Sequence, residues 1–287
     1  MKDLIIGCVT HYNFAQIACW VNSIERSGFS GDKAMILYNA DADTVRELSN
    51  RGFKLYVFNV TETGEVRAEL PYHIVVQRFI DLSRTYDAFA MQQYRYVIHT
   101  DVKDVIFQSN PSQWLTDRGY GSETIIASSE SIRYCDEPWG DDNLRTAFPE
   151  AYPDIRSNII WNCGVQAGRP AYMRDLWRSI YYMSLNRRIH NPDQAAYNVL
   201  LSMDTYFKDA CFLSSEDGWA AQLGTTADPS KPHLRKHLTE PSPLIQNGVV
   251  YTSLGTSPHC IVHQYDRIPN LKAEIEQRYG HQSSRPL

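Results

Sequence analysis

With 287 residues, 43% of them hydrophobic and 21% charged, the chain has the length and apolar content for a sizeable core, in one large domain or two small ones. A net charge of −5 and the lack of any Lys/Arg run exclude attachment through a broad basic field, so nucleic acid is not expected as a partner. No stretch approaches the roughly 18 apolar residues of a membrane span, and the short apolar run in "MKDLIIGCVT" is not a signal peptide, so a soluble cytoplasmic protein is expected, at most peripheral at the inner face of the membrane.

"LIIGCVT" (4–10) reads as a strand. Asn13 with Gln16 three residues on suits a helix N-cap, and Phe14, Ile17, Ala18, Val21 and Ile24 follow at helical spacing. "AMILY" (34–38) is a second strand, 42–51 a short helix closed by Gly52, and "KLYVFNV" (54–60) a third strand. Behind Pro71, the residues Val75, Phe79, Leu82 and Tyr86 share one face of a helix expected over 71–87. "YRYVIHTDVKDVIF" (94–107) opens with a fourth strand, and "TIIASSE" (124–130) is a fifth. Strands alternating with helices predict an α/β fold with a Rossmann-type, mostly parallel central sheet flanked by helices.

The second half is less regular and suggests a smaller mixed lobe. "IIWNCGVQAG" (159–168) reads as a strand, followed by a helix from Pro170 that turns Met173, Leu176, Trp177, Ile180 and Ser184 inward. A second helix begins at Asn191-Pro192, with Ala196, Val199, Leu200 and Met203 on one side. "CFLSS" (211–215) and "CIVHQY" (260–265) are short strands, and 224–248 reads as a long flexible loop of the kind that forms lids. No repeat or linker divides the chain, so one domain with two lobes, 1–130 and 131–287, is expected. The six cysteines form no CxxC pair and lie mostly in apolar segments, which predicts reduced buried thiols rather than disulfides or a zinc site.

The acidic turn after the fourth strand is the most informative feature. Ligands of parallel α/β sheets bind at the carboxyl ends of the strands, where Asp101 falls, and Asp104 follows three residues later. Two carboxylates around one turn can reach a single hard cation; an Asp pair that merely caps a turn is the alternative. Arg78, on the flank of helix 71–87, is placed either to pair with a phosphate or with Asp101, or to lie in solvent.

The order of elements, with a buried strand ending in Asp101-Val102-Lys103-Asp104, resembles the GT-A fold of nucleotide-sugar-dependent glycosyltransferases, over most of the chain. The match is to their Asp-x-Asp motif, here one residue longer, which leaves open which Asp would touch the metal. The resemblance implies a divalent cation, manganese with magnesium as the alternative, held by Asp101, Asp104 and, on the late strand "CIVHQYDR", His263. It implies that 1–130 binds the nucleotide-sugar, with Thr10, Tyr12 and Asn39 (beside Asp41) at the nucleotide, and that 131–287 binds the acceptor. "WNCGVQAG" resembles the strand that borders the sugars and nominates Trp161, Asn162 and Gly164. "NPDQAAYN" resembles the Asp-Gln pair of the sugar pocket and nominates Asp193, which as a first-turn acid also suits the helix dipole.

Sugar transfer needs a neutralised leaving diphosphate, a base for the acceptor hydroxyl where the configuration inverts, and exclusion of water. Asp193 is the first candidate for the base and Glu130 its rival; Lys231, His233, Arg235, Lys236 and His237 could close over the diphosphate. Trp139, Trp161 and Trp219 are candidate platforms for a sugar face. The expected donor is a UDP-sugar, galactose being one choice, and the acceptor a glycan or lipid-linked saccharide in polysaccharide biosynthesis. A sugar-phosphate nucleotidyltransferase would share the sheet and cation, yet "GCVTHYNFAQ" lacks its Gly-rich loop. A metal-dependent hydrolase or a non-catalytic carbohydrate-binding protein could also be built on this fold.

Overall fold

The computed structural model describes residues 1–58, 60–61, 73–120 and 125–280, with the backbone alone at 60–61. Pro71 and Thr124, each the edge of an expected element, and Asn59, inside the expected strand 54–60, lie outside the described residues. The strands of the two larger sheets are β1 (Leu4–Thr10), β2 (Asp32–Tyr38), β3 (Phe53–Val57), β4 (Val97–Thr100), β5 (Val105–Phe107), β6 (Ile125–Arg133), β7 (Ile159–Gly168), β8 (Ala210–Leu213), β9 (Ala220–Gln222) and β10 (Ile261–His263). The helices longer than one turn are α1 (Phe14–Arg26), α2 (Ala42–Asn50), α3 (Ile74–Ala88), α4 (Pro111–Asp117), α5 (Pro138–Ala147), α6 (Pro170–Ser184), α7 (Asp193–Ser202) and α8 (Pro269–Tyr279).

The central sheet has seven strands in the order β8-β6-β7-β4-β1-β2-β3. All run parallel except β7, which is inserted antiparallel to both β4 and β6. Both faces of the sheet are covered. Leu4, Ile6, Ile36 and Val97 pack on one side with Phe79, Leu82 and Trp177 of α3 and α6. Ile5, Val9, Met35, Leu37 and Ile98 pack on the other with Trp20 and Val21 of α1. Burial on both faces explains why these strands read as unbroken apolar runs rather than as alternating ones.

A second sheet of three strands, β9-β10-β5, places β10 antiparallel to β5 and pairs His263 with Val105. The acidic turn 101–104 is therefore the bridge from the large sheet to the small one. Residues 224–248 are not a long loop: they contain a one-turn helix (Leu223–Thr226), a 3-10 segment (Pro232–His237) and the start of a hairpin (Leu244–Gln246 with Val249–Tyr251). Arg235 closes the segment on itself by donating to the carbonyls of Thr225 (3.1 Å) and Asp228 (2.9 Å). Met203, expected on the inner face of α7, is 43% exposed, because the helix ends at Ser202 and its periodicity ends with it. All six cysteines are free thiols. No described helix is long and apolar enough to cross a membrane.

Candidate metal centre

Asp101, Asp104 and His263 converge: one donor atom of each lies within 4.8 Å of the others. His263 Nε2 is 3.5 Å from Asp101 Oδ2 and 3.7 Å from Asp104 Oδ1. With His263 Nδ1 donating to Gln222 Oε1 (2.7 Å), the neighbouring residue in the β9–β10 register, Nε2 is the ring nitrogen that faces the carboxylates. Gln222 carries no signal of this role in the sequence, since only the pairing of β9 with β10 brings it there.

Glycine at 164 keeps this space open. A Cβ there would lie 2.6 Å from Asp101 Oδ2 and 2.7 Å from His263 Cε1, while the Gly164 carbonyl accepts from the Asp101 amide at 2.7 Å. Two carboxylates, one imidazole and a wall without a side chain fit a divalent cation.

Charge is balanced around the centre by Arg78, which bonds Asp101 with one nitrogen and Asp193 Oδ2 with the other at 3.0 Å. Burial alone would raise the Asp101 pKa, but Arg78 and His263 outweigh it and hold the carboxylate ionised. Burial pushes the Asp104 carboxyl up, with Asp101 and Asp266 adding to the effect and His263 opposing it. Burial pulls His263 down, yet Asp104 and Asp101 more than offset that, so its pKa is raised. A cation taking this site would displace that proton.

Two cavities meet at the cluster, sharing Val75, Arg78, Asp101 and Arg267. The first, of about 320 Å³, is lined by Thr10, Tyr12, Lys103 and Asp104, with Lys103 Nζ 5.7 Å from the centre of the Tyr12 ring. The second, of about 480 Å³, is lined by Glu130, Asn162, Gly164, Asp193, Gln194 and His263, with Trp139 at its edge, 50% exposed. Its floor is a hydrogen-bonded network. Asn162 Nδ2 (2.8 Å) and Gln194 Nε2 (2.7 Å) both donate to Glu130 Oε1, and Asn162 Oδ1 accepts from the Gly164 amide (2.8 Å). Burial raises the pKa values of Glu130 and Asp193, opposed by the two amides in one case and by Arg78 in the other.

Thus Thr10, Tyr12, Arg78, Asp101, Asp104, Glu130, Asn162, Gly164, Asp193 and His263 come together around one cleft. Asn39 does not. It is buried in a left-handed turn (φ 52°) after β2 and lines neither cavity, and Asp41 beside it is the N-cap of α2. Trp219 is fully buried against Trp114, and Trp161 packs on Phe212 in a separate apolar groove, so of the three tryptophans only Trp139 reaches the cleft. Of the basic residues of the 224–248 segment only Lys231 lines it. Gln194, the second member of the Asp-Gln pair, also lines the cleft, as do Gln264 and Arg267, which sequence reasoning passes over although "CIVHQYDR" contains them. Neither a protein-family model nor a curated protein matches the chain.

Proposed function

We propose that the protein is a cation-dependent glycosyltransferase of GT-A type that moves a hexose from a nucleoside-diphosphate donor, UDP by preference, to a hydroxyl of a glycan or lipid-linked saccharide. The observation that carries this reading is the Asp101–Asp104–His263 cluster at the junction of two cavities, one for each half of such a donor. A manganese ion held by these three residues would supply Lewis-acid neutralisation of the leaving diphosphate. Thr10, Tyr12 and Lys103 line the side suited to the nucleotide, Tyr12 offering a ring face and Lys103 a positive charge. Arg78 and Arg267, on the wall common to both cavities, face the position of the diphosphate. Asp193 is engaged by Arg78 and acts as a binding group rather than a base, whereas Glu130 retains an oxygen able to accept a hydroxyl hydrogen bond. Trp139, at the rim, is the platform for the acceptor.

A thermal-shift panel of UDP, GDP, CDP and dTDP with and without manganese tests the reading. One nucleotide should stabilise the protein only in the presence of the cation. At about 100 times its Kd the gain is about 2.7 kcal/mol, a rise of several degrees. Asp101→Ala should abolish the shift. No shift from any nucleotide, or one indifferent to manganese, would remove the basis for a transferase.

A further inference from the structure

We infer that the larger cavity takes an uncharged hexosyl group and rejects a hexuronic acid, and that Glu130 sets this preference; the inference rests on the glycosyltransferase reading. Glu130 is 5% exposed, and its Oε1 is saturated by two amide donors, Asn162 Nδ2 and Gln194 Nε2. Its Oε2 has no hydrogen-bond partner among the described residues, and Glu130 lines the cavity. A fixed carboxylate oxygen of this kind accepts a hydrogen bond from a sugar hydroxyl and repels a sugar carboxylate.

The remaining charges of the wall offer a uronate no compensation. Arg78 is already shared between Asp101 and Asp193. Lys231 lies 3.7 Å from Glu137, and Arg267 lies 3.5 Å from Asp266 and borders the diphosphate side. Arg78, Lys231 and Arg267 therefore each have an acid beside them, and Glu130 adds to the wall an acid with no basic side chain bonded to it. A sugar carboxylate placed here would be desolvated next to a like charge, the arrangement by which sites exclude the wrong ligand. A hydroxymethyl group at the same carbon would instead gain a partner.

The test is calorimetric titration of the full chain at pH 7.5 with manganese, using UDP-glucose, UDP-galactose, UDP-glucuronate and UDP alone. UDP-glucuronate should bind about tenfold or more weakly than the better UDP-hexose. Glu130→Gln keeps the shape of the side chain and removes its charge, so it should narrow that gap to about threefold or less. UDP alone should bind both proteins alike, which reports that the variant is folded. Equal binding of hexose and uronate by the unaltered protein overturns the inference while leaving the transferase reading intact, as does a gap that Glu130→Gln leaves unchanged. Failure of UDP and all three UDP-sugars to bind with manganese overturns the inference, and the transferase reading falls with it only if GDP, CDP and dTDP fail as well.

Discussion

Gly164 is a glycine for want of space, not for backbone freedom. The two groups its missing Cβ would strike, the Asp101 carboxylate and the His263 ring, are two of the three proposed cation ligands. Alanine at this position must push one of them aside by several tenths of an ångström, and a cation site tolerates little displacement of its ligands. The strand itself accepts alanine readily, since Ala167 lies three residues on in the same strand and is buried. Gly164→Ala should therefore leave the far-ultraviolet circular dichroism unchanged and weaken manganese binding by about tenfold or more. A manganese Kd equal to that of the unaltered protein, read by titration calorimetry, would show that residue 164 is not a wall of the cation site.

At the scale of elements, α1 illustrates how much local chemistry can be read directly. Asn13 Oδ1 accepts from the Gln16 amide (3.2 Å) and Gln16 Oε1 accepts from the Asn13 amide (3.0 Å), the reciprocal cap expected from the two residue types at that spacing. Asn13→Ala should cost about 1 kcal/mol in chemical denaturation and leave manganese affinity untouched; a loss under about 0.3 kcal/mol would mean that the cap is dispensable. Helix α6 is equally legible, because Met173, Leu176, Trp177, Ile180 and Ser184 recur at helical spacing and all five are buried. Strand β7 coincides with the apolar run 159–168, but its antiparallel direction is not legible: direction depends on the crossover connection, which leaves no periodic trace. The small sheet is hidden for another reason. Strands β5 and β10 have three residues each, and the pair Phe107 and Ile261 is separated by most of the chain's second half. So the carboxylates can be read from their place at a strand end, whereas the approach of His263 follows only from the family resemblance. The segment 224–248 misleads because 3-10 turns and a hairpin of three-residue strands carry no period, and Arg235, expected among the residues that close over the diphosphate, is occupied with backbone carbonyls.

For the molecule as a whole, the small sheet that flanks the acidic turn is braced by the hairpin Leu244–Gln246/Val249–Tyr251. Gln108, just beyond β5, ties the two together. Its Nε2 donates to the carbonyls of Val250 and His259 (2.8 Å each), and its Oε1 accepts from the Val250 amide (2.9 Å). His259 sits in this joint, fully buried, and burial lowers its pKa to about 4 while Glu216 opposes the shift. In the unfolded chain the imidazole takes a proton near its ordinary value of about 6.5. Between these two values the unfolded state holds a proton that the folded state lacks, so stability falls as pH falls through this window and levels off below about 4. The slope assigned to this one histidine is about 1.4 kcal/mol per pH unit. Above pH 6.5 the group is neutral in both states and contributes no slope. Urea unfolding at pH 7.5, 6.0, 5.5, 5.0 and 4.5 should show the unaltered protein losing stability relative to His259→Gln at that rate, whatever offset the substitution introduces at pH 7.5. Parallel stability curves for the two proteins would mean that the imidazole reaches solvent, and that the joint between the small sheet and the hairpin opens more readily than its burial implies.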